Sequence, residues 1–181
     1  FLIISTLIHT SILLVVASVT IAMFLKNTEK NIYIWLICIA LSYLLQEPLK
    51  TIMSTLINDD RMTNYLMNME DQKNLFTVTG FRWDFIIYSS LPIILGWYSI
   101  VKKGFIDKIY SLLLNTYIFS NTFWVLINSA AYSNRFAYLS WFLFPILIAY
   151  PICKFHIFQR QGIAVCLILL ASVAFTFVMQ I

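Results

Sequence analysis

Apolar residues in this chain come in long blocks separated by short polar stretches. The blocks cover 1–25, 85–101, 109–127, 136–153 and 162–181, and a sixth, 32–51, carries Gln46, Glu47 and Pro48 at its far end. Segment 162–181, GIAVCLILLASVAFTFVMQI, has no charge at all, and 1–25 is broken only by His9. A helix needs about 20 predominantly apolar residues to cross the hydrocarbon core of a bilayer. No extended apolar–polar alternation of the kind a membrane barrel requires is present. The pattern predicts an all-α fold: a polytopic transmembrane helical bundle of about six helices in a single domain, 1–181. Pro92 predicts a kink in the third block, because proline cannot donate to the preceding turn. A long polar segment, about 58–84, separates the second and third blocks.

Composition strengthens this picture. The chain is 61% hydrophobic and 11% charged, whereas soluble domains carry about 25% charged residues. A core of this length cannot hide so much apolar surface from water. The first block lacks the basic leader and small-residue cleavage site of a signal peptide. Both ends fall inside apolar runs, so the sequence reads as a fragment of a longer membrane protein. The three cysteines, Cys38, Cys153 and Cys166, are widely spaced in apolar runs, a pattern of packing or lipid-facing residues and not of a metal site.

The net charge of +4 gives no case for nucleic acid, but its distribution sets an orientation. Lys26, Lys30, Lys102, Lys103, Lys108, Lys154 and Arg160 fall in the short loops after the first, third and fifth blocks. Basic residues in short loops mark the cytoplasmic side. Glu47, Asp59, Asp60, Glu70, Asp71 and Asp84 then lie outside, with Arg82 and Arg135. His9 belongs a few residues below the same outer surface.

Ionisable groups near membrane depth are costly and usually face a bundle interior or a watery cavity. His9 is either an interfacial histidine satisfied by a neighbour or a proton-transfer group. Glu47 is either a headgroup-seeking carboxylate or a base. Asp84 either caps the third helix or joins the chemistry. Arg82 and Arg135 are either interface markers or guanidiniums for a diphosphate, whose oxygens a bidentate fork matches well. Asn115, Asn121 and Asn128 read as glue between helices. Nucleotide loops, zinc-protease motifs and nucleophile elbows are all missing from the sequence.

Four segments, LIHTSILL (7–14), GFRWDFIIYSSLPIILGWY (80–98), YSNRFAYLSWFLFPILIAYPI (132–152) and the basic loop with the last block, resemble in order the EpsG family. These are membrane proteins of bacterial exopolysaccharide, capsule and O-antigen clusters, regarded as Wzy-like polymerases. The resemblance corresponds to the C-terminal half of a family member. It implies a glycan polymerase that joins undecaprenyl-diphosphate-linked oligosaccharide repeat units at the outer face of the bacterial cytoplasmic membrane. His9, Glu47 and Asp84 are then the catalytic candidates, and Arg82 and Arg135 the diphosphate-binding ones. Neither cofactor nor metal is expected. The lipid-linked glycan and the bilayer are the expected partners, with a chain-length regulator and a flippase of the same pathway. The alternatives are a lipid-linked oligosaccharide flippase and an O-antigen ligase-like transferase.

Overall fold

The computed structural model describes residues 12–45, 48, 81–128, 134–155 and 158–180. Every regular element among them is helical. In chain order these are α1 (Ile12–Phe24), α2 (Thr28–Leu44), α3 (Trp83–Trp97), α4 (Lys108–Leu126), α5 (Asn134–Trp141), α6 (Phe144–Lys154) and α7 (Gln161–Gln180), with a π-helical turn, Tyr98–Lys102, continuing α3. The first eleven residues of the expected 1–25 helix lie outside the described set, as does most of 45–51.

Two boundaries differ from expectation for local reasons. The second helix starts at Thr28 and not at Ile32, because the Asn27 side chain accepts from the Lys30 N–H and caps it. The polar run Thr28-Glu29-Lys30-Asn31 is therefore its first turn and not a loop. The expected 136–153 helix is two helices, α5 and α6, parted at Phe142–Leu143. Pro145 sits at the second position of α6 and has no N–H for the Trp141 carbonyl. The chain turns more tightly there, with the Leu143 N–H donating to the Ser140 carbonyl at 3.0 Å.

α4 is the central element. Tyr110, Leu114, Tyr117, Ile118, Trp124 and Val125 along it are fully buried. α1, α2, α3, α5 and α6 all pack on it. The Trp35 indole N–H donates to Asn121 Oδ1 at 2.9 Å, and Asn121 Nδ2 donates to Ser140 Oγ at 3.2 Å. The Ser42 hydroxyl donates to the Val125 carbonyl at 2.6 Å, and the Tyr117 hydroxyl to the Ser89 carbonyl at 2.9 Å. The Trp141 indole N–H donates to Ser89 Oγ at 2.8 Å. Asn115, Asn121 and Asn128 all hold segments together, as their sequence positions suggested.

The surface is thus more apolar than that of a water-soluble bundle, and the apolar core also encloses small polar groups. Small polar side chains such as Ser18, Ser42, Ser89, Ser99, Ser120 and Asn121 are buried. Large apolar ones such as Ile37, Leu44, Ile87, Ile94, Leu167 and Leu170 are exposed. Two helical stretches, Trp83–Lys102 and Phe136–Lys154, are long and apolar enough to cross a membrane.

α3 and α4 meet at Gly96. A Cβ at this position would overlap the Leu114 side chain, so the absence of a side chain sets the helix spacing. Gly96→Val is expected to cost about 1–3 kcal/mol through overpacking. A lowered midpoint in thermal unfolding of the detergent-solubilised protein is the measurement, and an unchanged midpoint would show that Leu114 yields freely.

Contacts assign the loops to two ends of the bundle. At one end Asn115 Nδ2 donates to the Lys26 carbonyl, and Lys154 Nζ meets Asp107 Oδ2 at 2.8 Å. The linkers after α1, the π turn and α6 therefore share this basic end. At the other end the last turns of α2 and α4 meet the first turn of α3 through Ser42–Val125 and Asn128–Arg82.

Candidate functional site

The site residues expected from sequence fall into two groups. Arg82 and Asp84 are described. His9 and Glu47 lie outside the described residues. Arg135 stands in the first turn of α5, with its side chain outside them.

Arg82 is the N-cap residue of α3, and its side chain makes no capping bond. It turns instead to Asp84. Arg82 Nη2 donates to Asp84 Oδ2 at 2.6 Å, and Nε reaches Oδ1 at 3.0 Å. The guanidinium also lies over the Phe85 ring, 3.8 Å from its centroid. The cation is thus held on one side by a two-pronged ion pair and below by an aromatic face. It remains partly open, with 24% of the side chain exposed. Asp84 does sit in the first turn of α3, where a negative charge favours the helix dipole.

Packing brings the surroundings of Arg82 and Arg135 together. Phe85, Ile86, Trp124, Val125 and Ala137 form one buried cluster, against which Phe81 and Phe136 pack. Phe81 precedes Arg82, and Phe136 follows Arg135. Both arginines therefore attach to one end of the bundle, opposite the basic loops. Among the described residues no group of three His, Cys, Asp or Glu side chains is arranged to hold a metal ion.

Sequence reasoning missed the aromatic frame. Tyr43, Phe81 and Trp83 pack together beside Arg82 with ring centroids 4.8–5.4 Å apart, Phe81 edge to face with both others and Tyr43 tilted against Trp83. Phe81 and Trp83 flank Arg82 in sequence and carried a usable signal. Tyr43 arrives from α2 and carried none. From Trp83 a groove of about 540 Å³ runs between α2 and α3 toward Trp97, lined by apolar side chains including Ile39, Ile86 and Ile93.

Asp107 organises the opposite end. Its carboxylate accepts from the N–H groups of Ile109 and Tyr110, both at 2.9 Å, and so caps α4. It also accepts from Lys154 Nζ and from the Tyr150 hydroxyl at 3.2 Å. The Lys154 hydrogen bond first, and the Tyr110 N–H next, pull its pKa down to about 2 from the ordinary 3.8. A depressed carboxylate contributes stability above its unfolded pKa and loses it as pH falls through the folded one. The deficit in unfolding temperature of Asp107→Asn is expected to stay constant from neutral pH to about 4, then shrink toward about pH 2. A deficit that begins shrinking near pH 6 would assign the effect to another group.

No protein-family model matches the chain, and neither does any curated protein or solved structure.

Proposed function

We propose that this chain belongs to a multi-pass membrane glycan polymerase of the EpsG type, acting on undecaprenyl-diphosphate-linked repeat units at the outer face of a bacterial cytoplasmic membrane. The observation that carries the reading is the attachment of Arg82 and the Arg135-bearing turn to one aromatic cluster, at the end opposite the basic loops. Polar interior contacts and an apolar exterior fit a bundle solvated by lipid.

In the proposed reaction an acceptor hydroxyl oxygen of one repeat unit attacks the anomeric carbon of the growing chain. The bond from that carbon to the lipid diphosphate breaks, and the diphosphate leaves with the electron pair. The hydroxyl proton passes to a base. Arg135 and Arg82 hold the departing charge, as fixed cations do best in a site from which water is excluded. Asp84 binds Arg82 through both carboxylate oxygens, so in this scheme it positions the guanidinium. The proton acceptor is then His9 or Glu47. The groove that starts at Trp83 gives the prenyl chain of the donor an apolar path beside the cations.

Orientation is the first test. In a variant with Cys38, Cys153 and Cys166 replaced by serine, single cysteines are placed along the chain and labelled from outside the cell. Positions in 58–82 and 128–134 are expected to react. Those in 102–108 and 154–161 are expected to react only after the membrane is opened. Outside labelling of Lys103→Cys would overturn the orientation and the reaction face with it.

A further inference from the structure

The basic end of the bundle has a step in it. The Asn31 side-chain amide donates to the Leu25 carbonyl at 2.8 Å, closing the α1–α2 connection tightly. Asn115 Nδ2 donates to the Lys26 carbonyl, at 3.4 Å. The tip of this hairpin is therefore level with Asn115 and not with the start of α4. Lys108 lies seven residues earlier on α4, about 10 Å further along the axis at 1.5 Å per residue. Two turns of α4 stand above the hairpin, and the space between them is a pocket of about 430 Å³.

The lining of this pocket is divided. Ala22, Met23 and Leu112 supply apolar wall, and Lys26, Lys108 and Ser111 supply polar groups. Asp107 also borders it, but its carboxylate is committed to Lys154, Tyr150 and two backbone N–H groups. Lys154 is correspondingly spent, and Lys102 and Lys103 rest over the Trp97 and Tyr98 rings at 5.4 and 5.7 Å. Lys26 and Lys108 have no ion-pair partner among the described residues. Asn115, which also lines the pocket, keeps a buried Oδ1 without a hydrogen-bond donor among the described residues. Beside the pocket Ile106 is 93% exposed, an apolar side chain set between the cations of its loop.

We infer that this pocket holds the phosphate headgroup of an anionic glycerophospholipid from the leaflet on that side. Lys26 and Lys108 approach the phosphate from below and above, within the combined reach of their flexible four-carbon stems. Ser111 donates to a phosphate oxygen. The acyl chains descend along Met23 and Leu112. An apolar wall directly beneath two lysines distinguishes a lipid site from one for a free anion, which would leave that wall unused. The inference rests on the membrane reading alone and is independent of the polymerase reaction.

The test uses the chain in nanodiscs of phosphatidylcholine, with and without an equal part of phosphatidylglycerol. Native mass spectrometry reads retained phosphatidylglycerol, and thermal unfolding reads stabilisation. Wild type is expected to retain the anionic lipid and to unfold at a higher temperature when it is present. Lys26→Gln/Lys108→Gln is expected to retain on the order of thirtyfold less, from about 1 kcal/mol for each of the two lysines. It should unfold like wild type in phosphatidylcholine alone. Lys102→Gln/Lys103→Gln should retain the lipid as wild type does. Equal losses in the two double variants would mean diffuse attraction and overturn the site, as would a double variant already unfolded in phosphatidylcholine. Full stabilisation by inorganic phosphate in phosphatidylcholine discs would also overturn it, in favour of a free anion.

Discussion

Arg135→Ala is expected to abolish long polymer while leaving single repeat units on their lipid carrier. Arg135 opens α5 next to Phe136, which packs on the cluster holding Phe85. Arg82, at the same end, is already paired with Asp84, so in the proposed reaction Arg135 carries most of the new negative charge. Removing one positioned donor to developing charge typically costs about 10²–10³ in rate. Arg135→Lys should restore little, because an ammonium keeps the charge and loses the planar fork. The variant should reach the membrane in normal amount. Gel analysis of polymer length, with immunoblotting for protein level, decides the matter. Wild-type polymer from a normally expressed Ala variant would remove Arg135 from the mechanism, and equal rescue by Lys would leave only a requirement for charge.

Asn121→Ala is expected to have the largest effect on stability among single polar substitutions. Asn121 is fully buried, accepts from Trp35 and donates to Ser140, so it joins α2, α4 and α5 at one point. Its removal strands the Trp35 indole N–H among apolar groups. Leaving a buried donor unsatisfied costs about 1–3 kcal/mol. Polar contacts between membrane helices average about 0.6 kcal/mol, so an effect above that figure reflects the shared position of this residue. A double-mutant cycle with Trp35→Phe isolates the pair. Phenylalanine needs no acceptor, so the combined variant should recover part of the loss. Strict additivity would show that the two side chains act independently.

Much of the architecture was legible in the chain. Block lengths near those of spanning helices located α4, α7 and α3 together with its π-helical continuation to within about two residues, the usual margin for helix ends. The asparagines of 115–128 were legible as glue because a lone amide in an apolar run has few other ways to be satisfied. The early start of α2 was hidden, because Asn27 and Thr28-Glu29-Lys30 look like loop until the capping bond is seen. The division of α5 from α6 was only half visible. Pro145 stands in the block, but proline near a helix start and proline inside a helix look alike in sequence. Pro92 and Pro151 remain inside their helices.

The candidate site was less legible. Arg82 and Asp84 were both singled out in the sequence, yet their grip on each other depends on backbone angles at the start of α3 that no spacing rule supplies. The contribution of Tyr43 needed the packing of α2 against the 81–83 segment. His9 and Glu47 lie outside the described residues, and their variants remain the experiments that bear on the proton acceptor.

The distances in sequence between bonded partners set a timetable for biosynthesis. Trp35 and Asn121 are 86 residues apart, and Ser42 is 83 from the carbonyl it meets. At a synthesis rate of about 5–20 residues per second, roughly 4–17 s separate the emergence of the first indole from that of its acceptor. Throughout that interval the polar groups of α2 have no α4 to meet. In the proposed membrane setting the nascent chain waits with them sheltered at the insertion machinery or masked by lipid headgroups. In the membrane setting proposed above, interruption of translation between these two points would leave α1 and α2 as a pair with their polar faces unclaimed, a natural target for quality-control proteases.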